Sequence, residues 1–64
     1  MLVPLDCLKI SDQFIELDDP HELKYTIEGP NLQGFINVID EFGYKYHFRD
    51  TKIVRPVREL DIKI

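Results

Sequence analysis

The stretch YKYHF, Tyr44–Phe48, decides the fold because its side chains alternate between aromatic rings and polar groups. The three rings fall on one side of an extended strand and Lys45 and His47 on the other, since successive side chains of a strand point to opposite faces. Two further stretches, ELKYTIE (22–28) and ELDIKI (59–64), alternate in the same way. This period of two predicts antiparallel strands that each have one buried and one hydrated face.

The remaining segments predict further short strands and one minor helical turn. FINVI (35–39) is apolar on both parities, which predicts a strand that is covered on both faces or bends near Gly34. Pro56 interrupts the best helical candidate, so we expect only a 3₁₀ turn at Arg55–Val57, before the last strand. Shorter strands are expected at DQFIEL and at LVPLDCLKI, and the turn signals are DDPH (18–21), EGPN (28–31), DEFG (40–43) and RDTK (49–52).

We therefore predict an all-β fold: a small antiparallel barrel of five to six strands in a single domain spanning residues 1–64. The short strands, the bend near Gly34 and the 3₁₀ turn before the last strand resemble the layout of small SH3-like barrels. OB-like and Sm-like barrels are the alternatives with the same pattern. The resemblance implies a fold only, because such folds carry many unrelated functions.

The rings of Tyr44, Tyr46 and Phe48 are expected to fill the core. A chain of 64 residues buries only roughly 60% of its unfolded surface, and each buried ring contributes roughly 1.5–3 kcal/mol. This orientation turns the cations of the same segment toward solvent. Cys7, the one cysteine, is expected to be a small buried hydrophobe, and it excludes an intramolecular disulfide.

Charge is distributed unevenly along the chain. Residues 1–43 carry nine acidic and two basic residues, whereas residues 44–64 carry six basic and three acidic ones. The basic segment is the first candidate for a partner-binding surface, and its members are Lys45, His47, Arg49, Lys52, Arg55 and Arg58. The alternative is an acidic docking face for a basic partner, formed by Asp12, Glu16, Asp18, Asp19, Glu22 and Glu28.

The sequence carries little that suits catalysis. Cys7, His21 and His47 are the candidates for a nucleophile and a base, but a chain this short has little room for a substrate pocket. The acidic and histidine side chains of DDPHE (18–22) lack the ligand spacing of a calcium loop and predict a polar turn. We expect no enzymatic activity, no cofactor and no metal. No apolar run approaches the ~20 residues of a membrane span, so a cytoplasmic location is expected.

These observations favour a non-catalytic protein-interaction module, an accessory or regulatory protein of the kind found in bacteria and phages. Another protein is the expected partner, met through a charged surface. The alternative is a nucleic-acid-binding barrel that uses the basic segment 45–58. A homo-oligomer through an edge strand is also possible, because the apolar end of LDIKI could pair with a neighbouring molecule.

Overall fold

The computed structural model describes residues 1–57, and they form one sheet of six antiparallel strands. The strands are β1 (Val3–Pro4), β2 (Gln13–Glu16), β3 (Lys24–Leu32), β4 (Phe35–Asp40), β5 (Lys45–Arg49) and β6 (Ile53–Val57). Their order across the sheet is β1-β6-β2-β3-β4-β5. The prediction of an all-β fold with antiparallel strands is confirmed.

The sheet must curl, because the link between β5 and β6 is too short for a flat one. These strands are four strand spacings apart, which is about 19 Å in a flat sheet. The chain from Arg49 to Ile53 can reach at most about 14 Å. The curl brings Phe14 on β2 within 6.2 Å of Phe48 on β5, measured between ring centroids. The concave side of this curled sheet holds the core.

The core is small and combines side chains from the concave side of the sheet with Leu5 of the 3₁₀ turn. Its partly buried members Val3, Leu8, Leu23 and Phe48 surround seven buried side chains: Leu5, Phe14, Tyr25, Ile27, Ile36, Val38 and Val54. The alternation predicted for ELKYTIE is confirmed, because Tyr25 and Ile27 are buried and Lys24 and Glu28 are exposed.

Two turns join β3, β4 and β5. Gln33 and Gly34 both have positive φ (54° and 92°) and form a two-residue hairpin loop, with Leu32 paired to Phe35. Positive φ at both positions matches the right-handed twist of the flanking strands. The next turn confirms the turn predicted at DEFG (40–43): Gly43 has a φ of 94°, and its N–H donates to the Asp40 carbonyl at 3.1 Å.

Three predictions of the chain's layout are wrong. The 3₁₀ turn lies at Leu5–Cys7, whereas Arg55–Val57 belong to β6. A strand tolerates Pro56 here because β1 reaches only Ile53 and Val54, so Pro56 is paired on one side, with Phe14. EGPN is not a break but an irregularity inside β3, where the register with β4 shifts between Ile27 and Asn31. The third error is Cys7, which is exposed. The predicted strand at residues 59–64 lies outside the described part of the chain.

Candidate functional site

The convex side of the hairpin formed by β4 and β5 carries three members of the predicted basic segment, Lys45, His47 and Arg49. Cross-strand pairs in an antiparallel ladder share a face. Because Ile36 and Val38 point into the core, the intervening side chains of β4 and their β5 partners point outward. These pairs are Phe35 with Arg49, Asn37 with His47 and Ile39 with Lys45. We call these six residues the outer β4–β5 face.

The rings of β5 lie on the core side, as the alternation predicts, but they are only partly covered. Phe48 pairs with Ile36 and Tyr46 with Val38, and both rings contact Tyr25 at 5.5 Å between centroids. Tyr46 nevertheless keeps 38% of its surface exposed, since β5 is the last strand on its side of the sheet among residues 1–57.

Tyr44 contradicts the prediction of a three-ring core. Its side chain is 67% exposed. The residue precedes the first residue of β5, beyond the edge of the core, so no strand within residues 1–57 covers it. The expectation of three buried rings is therefore wrong for Tyr44, whereas Tyr46 and Phe48 pack against the core from its rim.

Asp40, buried at the end of β4, holds the turn that presents Tyr44. Its Oδ1 accepts hydrogen bonds from the N–H groups of Phe42 and Tyr44, both at 2.9 Å, and its Oδ2 accepts one from the Tyr46 hydroxyl at 3.1 Å. Desolvation raises the pKa of Asp40, but these bonds and that of Gly43 outweigh it and hold the pKa below its ordinary value. The bond to Asp40, with desolvation next, raises the pKa of Tyr46.

Two of the predicted partner-binding cations are already paired with acids. Lys52 Nζ lies 3.0 Å from Glu16 Oε2 and 5.0 Å from the centroid of the Phe48 ring, so its ammonium group covers part of that ring. Arg55 Nη2 lies 3.4 Å from Glu22 Oε2. Their charges are thus compensated within the chain. Arg58 lies outside the described residues.

The other three predicted residues, Lys45, His47 and Arg49, form no ion pair within residues 1–57. Arg49 Cζ lies 5.1 Å from the centroid of the Phe35 ring, within the range of a cation–π contact. The His47 ring meets the same Phe35 ring edge-on, with centroids 5.5 Å apart. The structure therefore gathers two members of the predicted basic segment, His47 and Arg49, around one ring that is itself 39% exposed.

A surface depression of about 290 Å³ adjoins this cluster. It is lined by Glu28, Asn37, Lys45, Tyr46 and His47. The volume is at the lower limit of what small-molecule sites occupy. Its lining combines hydrogen-bond acceptors and donors with a cation, and so can bind a polar group beside an anionic one.

The predicted acidic docking face is divided among several structural roles. Asp12 Oδ2 accepts from the Lys9 N–H at 2.8 Å, and Glu16 Oε1 accepts from the Tyr25 hydroxyl at 3.1 Å. Desolvation, followed by this bond, raises the pKa of Tyr25. Glu22 pairs with Arg55, and Glu28 lines the depression on the outer face. Asp18 is exposed.

Asp19 organises the DDPHE segment as a turn. Its carboxylate accepts hydrogen bonds from the N–H groups of His21 at 2.9 Å and Leu23 at 3.0 Å. These two bonds, in that order, lower the pKa of Asp19. Within residues 1–57 no three His, Cys, Asp or Glu side chains are grouped so that they could hold a metal ion.

Sequence reasoning missed Phe35 and Asn37 as members of the site. The available signal was that FINVI has apolar side chains at both odd and even positions, which indicates that both faces of this strand make apolar contacts. Phe35 meets the guanidinium of Arg49 and the ring of His47.

Comparison of the chain with protein-family models, with curated proteins and with solved structures finds no match in any of the three. Within residues 1–57, no helix has the length and the apolar character needed to cross a bilayer.

Proposed function

We propose that this protein is a non-catalytic interaction module that binds an anionic macromolecular partner through the outer β4–β5 face. The observation that carries the proposal is the division of the cations. Lys52 and Arg55 are compensated by Glu16 and Glu22, whereas Lys45 and Arg49 have no ion pair in the described range 1–57. Uncompensated charge of one sign on one face steers a partner of the opposite sign.

The chemistry around Phe35 supports a contact surface at the same place. Arginine and aromatic side chains are the types most enriched among the residues that dominate binding energy at interfaces. Here a half-exposed ring and a guanidinium lie 5.1 Å apart, on the convex face of a regular hairpin. A rigid strand pair keeps these groups in place before binding, which lowers the entropy cost of ordering them.

Catalysis is less well supported. The depression on the outer face is near the lower limit for a small-molecule site, and Cys7, exposed in the 3₁₀ turn, does not line it. We keep the proposal that the protein is not an enzyme.

We also propose that the curled sheet is a small SH3-like barrel and that the protein is cytoplasmic. The reach of the β5–β6 link and the contact between Phe14 and Phe48 support the barrel. A homo-oligomer through an edge strand remains a prediction, and β1 and β5 are the edges of the sheet within residues 1–57. Sedimentation at micromolar concentration that finds only the monomer would remove it.

The test of the binding face uses two double variants with equal changes in charge. K45A/R49A removes the cations of the outer β4–β5 face that are unpaired within residues 1–57, and K9A/K24A removes two exposed lysines that do not belong to this face. Binding to two model polyanions, a single-stranded oligonucleotide and a polyglutamate peptide, is measured by fluorescence anisotropy. We expect K45A/R49A to abolish binding and K9A/K24A to keep most of it. Equal losses in both variants would show that net charge alone, and not this face, attracts anions.

A further inference from the structure

We infer that the anionic partner of the outer β4–β5 face is a single-stranded nucleic acid, with bases at Phe35 and phosphates at Lys45 and Arg49. This inference rests on the proposed function and names the chemical class of its ligand. It differs from binding by the whole basic segment, because Lys52 and Arg55 are paired with acids and are not part of it.

The first step is the combination of a ring with flanking cations. Proteins bind single strands with aromatic side chains on which bases stack and with cations that follow the backbone. Phe35 supplies the exposed ring, and Arg49 lies directly opposite it on β5. A base that stacks on Phe35 displaces the Arg49 guanidinium from the ring. The displaced guanidinium then lies beside the phosphate next to that base.

The second step is the spacing of the cations along β5. Lys45 and Arg49 are four residues apart on the same face, so their Cα atoms are separated by about 13 Å along the strand. This is long enough to follow an extended strand rather than to grip a single phosphate. His47 lies between them, with its ring against Phe35.

The third step is the depression that is lined in part by His47, whose ring contacts that of Phe35. Asn37 offers both a donor and an acceptor, and Glu28 offers carboxylate oxygens, all exposed at the surface. A carboxylate accepts hydrogen bonds from the exocyclic amine of cytosine but finds no such amine on thymine. The lining therefore fits a base edge, whereas an acidic peptide would meet Glu28 as a repulsive charge. This observation favours a nucleic acid over an acidic protein.

The test measures the anisotropy of labelled probes of about 15 nucleotides, a length that covers the site sizes of small single-strand-binding domains. The probes are oligo(dC), oligo(dT) and an abasic strand with the same phosphates, together with a polyglutamate peptide of similar length. We expect oligo(dC) to bind more tightly than oligo(dT), and both to bind more tightly than the abasic strand and the peptide. Two phosphate contacts predict a slope of log K against log[salt] of about −1.4, and R49A should reduce it by about 0.7.

Two substitutions separate stacking from charge. F35L keeps an apolar side chain but removes the ring, and we expect it to weaken oligo(dC) binding about tenfold while leaving the abasic strand unaffected. E28Q removes a negative charge, which strengthens the binding of every probe, but it should also abolish the preference for oligo(dC) over oligo(dT). Circular dichroism of each variant, compared with the wild type, verifies the fold.

Each alternative outcome has a separate meaning. If the abasic strand binds as tightly as oligo(dC) and F35L changes nothing, stacking is wrong and the face is a general anion site. If the polyglutamate peptide is the tightest probe and its binding requires Lys45 and Arg49, the nucleic-acid inference is overturned while the proposed function stands. If no probe binds, both fail.

Discussion

The contact between Phe14 and Phe48 allows a direct test of the curl of the sheet. β2 and β5 are three strand spacings apart, about 14 Å in a flat sheet, but the ring centroids are 6.2 Å apart with an interplanar angle of 72°. Edge-to-face aromatic pairs contribute about 0.5–1.5 kcal/mol beyond the burial of their area. Side chains separated by more than roughly 7–10 Å contribute additively. The two arrangements thus predict different coupling energies.

The perturbation is a double-mutant cycle of F14L, F48L and F14L/F48L. Leucine keeps most of the apolar volume, so each single change should cost about 1–1.5 kcal/mol. A chain of 64 residues has a total stability of roughly 3–10 kcal/mol, and the double variant should still fold. The cation–π contact of Lys52 with Phe48 is lost in both arms of the cycle and cancels.

The assay is urea-induced unfolding, followed by far-ultraviolet circular dichroism and by tyrosine fluorescence. We expect a coupling free energy of about 0.5–1.5 kcal/mol between Phe14 and Phe48. The control cycle pairs F14L with F35L, because the Phe35 ring contacts His47 and Arg49 on the opposite face. Its coupling should stay within about 0.3–0.5 kcal/mol of zero. Additivity in both cycles would refute the curled sheet.

Three further predictions concern the turns and the tyrosines. The hydrogen bonds of Asp40 lower its pKa from 3.8, so the ionised carboxylate stabilises the fold above pH ~4 and this stabilisation is lost as the pH falls through the pKa of the folded state. Urea titrations should find the stability of D40N less sensitive to acid than that of the wild type. The pKa of Tyr25 is raised, so its stabilisation is complete below pH ~10 and lost above; absorbance at 295 nm should detect a late-titrating phenol that Y25F removes. Gly43→Ala and Gly34→Ala should each cost about 1–2 kcal/mol in thermal or urea unfolding, because φ is positive at both positions, whereas Gly29→Ala should be nearly neutral, since its added Cβ meets nothing within 4 Å.

The alternation of side chains was enough to predict the class of the fold. It predicted the central residues of β3 and β5 and assigned Tyr25, Ile27 and Phe48 to the correct side of the sheet. Local signals also fixed the turn at Gly43, because only a residue that tolerates positive φ suits that position. These features depend on neighbours in the sequence.

The errors arise where tertiary pairing overrides a local signal. Pro56 indicates an interrupted helix and a 3₁₀ turn, but β6 continues through it because β1 leaves one side of that residue unpaired. Gly29 and Pro30 indicate a turn, but they form an irregularity within β3. The strand continues because β4 pairs with β3 both before and after these two residues. Tyr44 has the parity of a core residue, yet it lies just before β5 begins and beyond the edge of the core, so its side chain stays exposed. None of these outcomes can be read from a local pattern.

The site was predicted in part for the same reason. The sequence predicted the basic segment but not which of its cations form ion pairs, since Glu16 and Lys52 are 36 positions apart in the chain. It also could not place Phe35 beside Arg49, because that pairing depends on the register of the hairpin. The structure replaces a segment of six residues with a face of mixed aromatic, amide and basic character.

Net charge is a poor guide to the local charge of the outer β4–β5 face, because most of the acids within residues 1–57 are engaged in hydrogen bonds or ion pairs. Asp19 and Asp40 accept backbone N–H groups in two turns, and Glu16 accepts the hydroxyl of Tyr25. A carboxylate that holds a turn projects less of its charge toward a distant ligand than one left in solvent, since its hydrogen-bond donors partly offset it. The cations of β5 have no such partners within residues 1–57. An anion approaching the outer β4–β5 face therefore meets a locally basic surface, although the chain as a whole carries a net charge of −4.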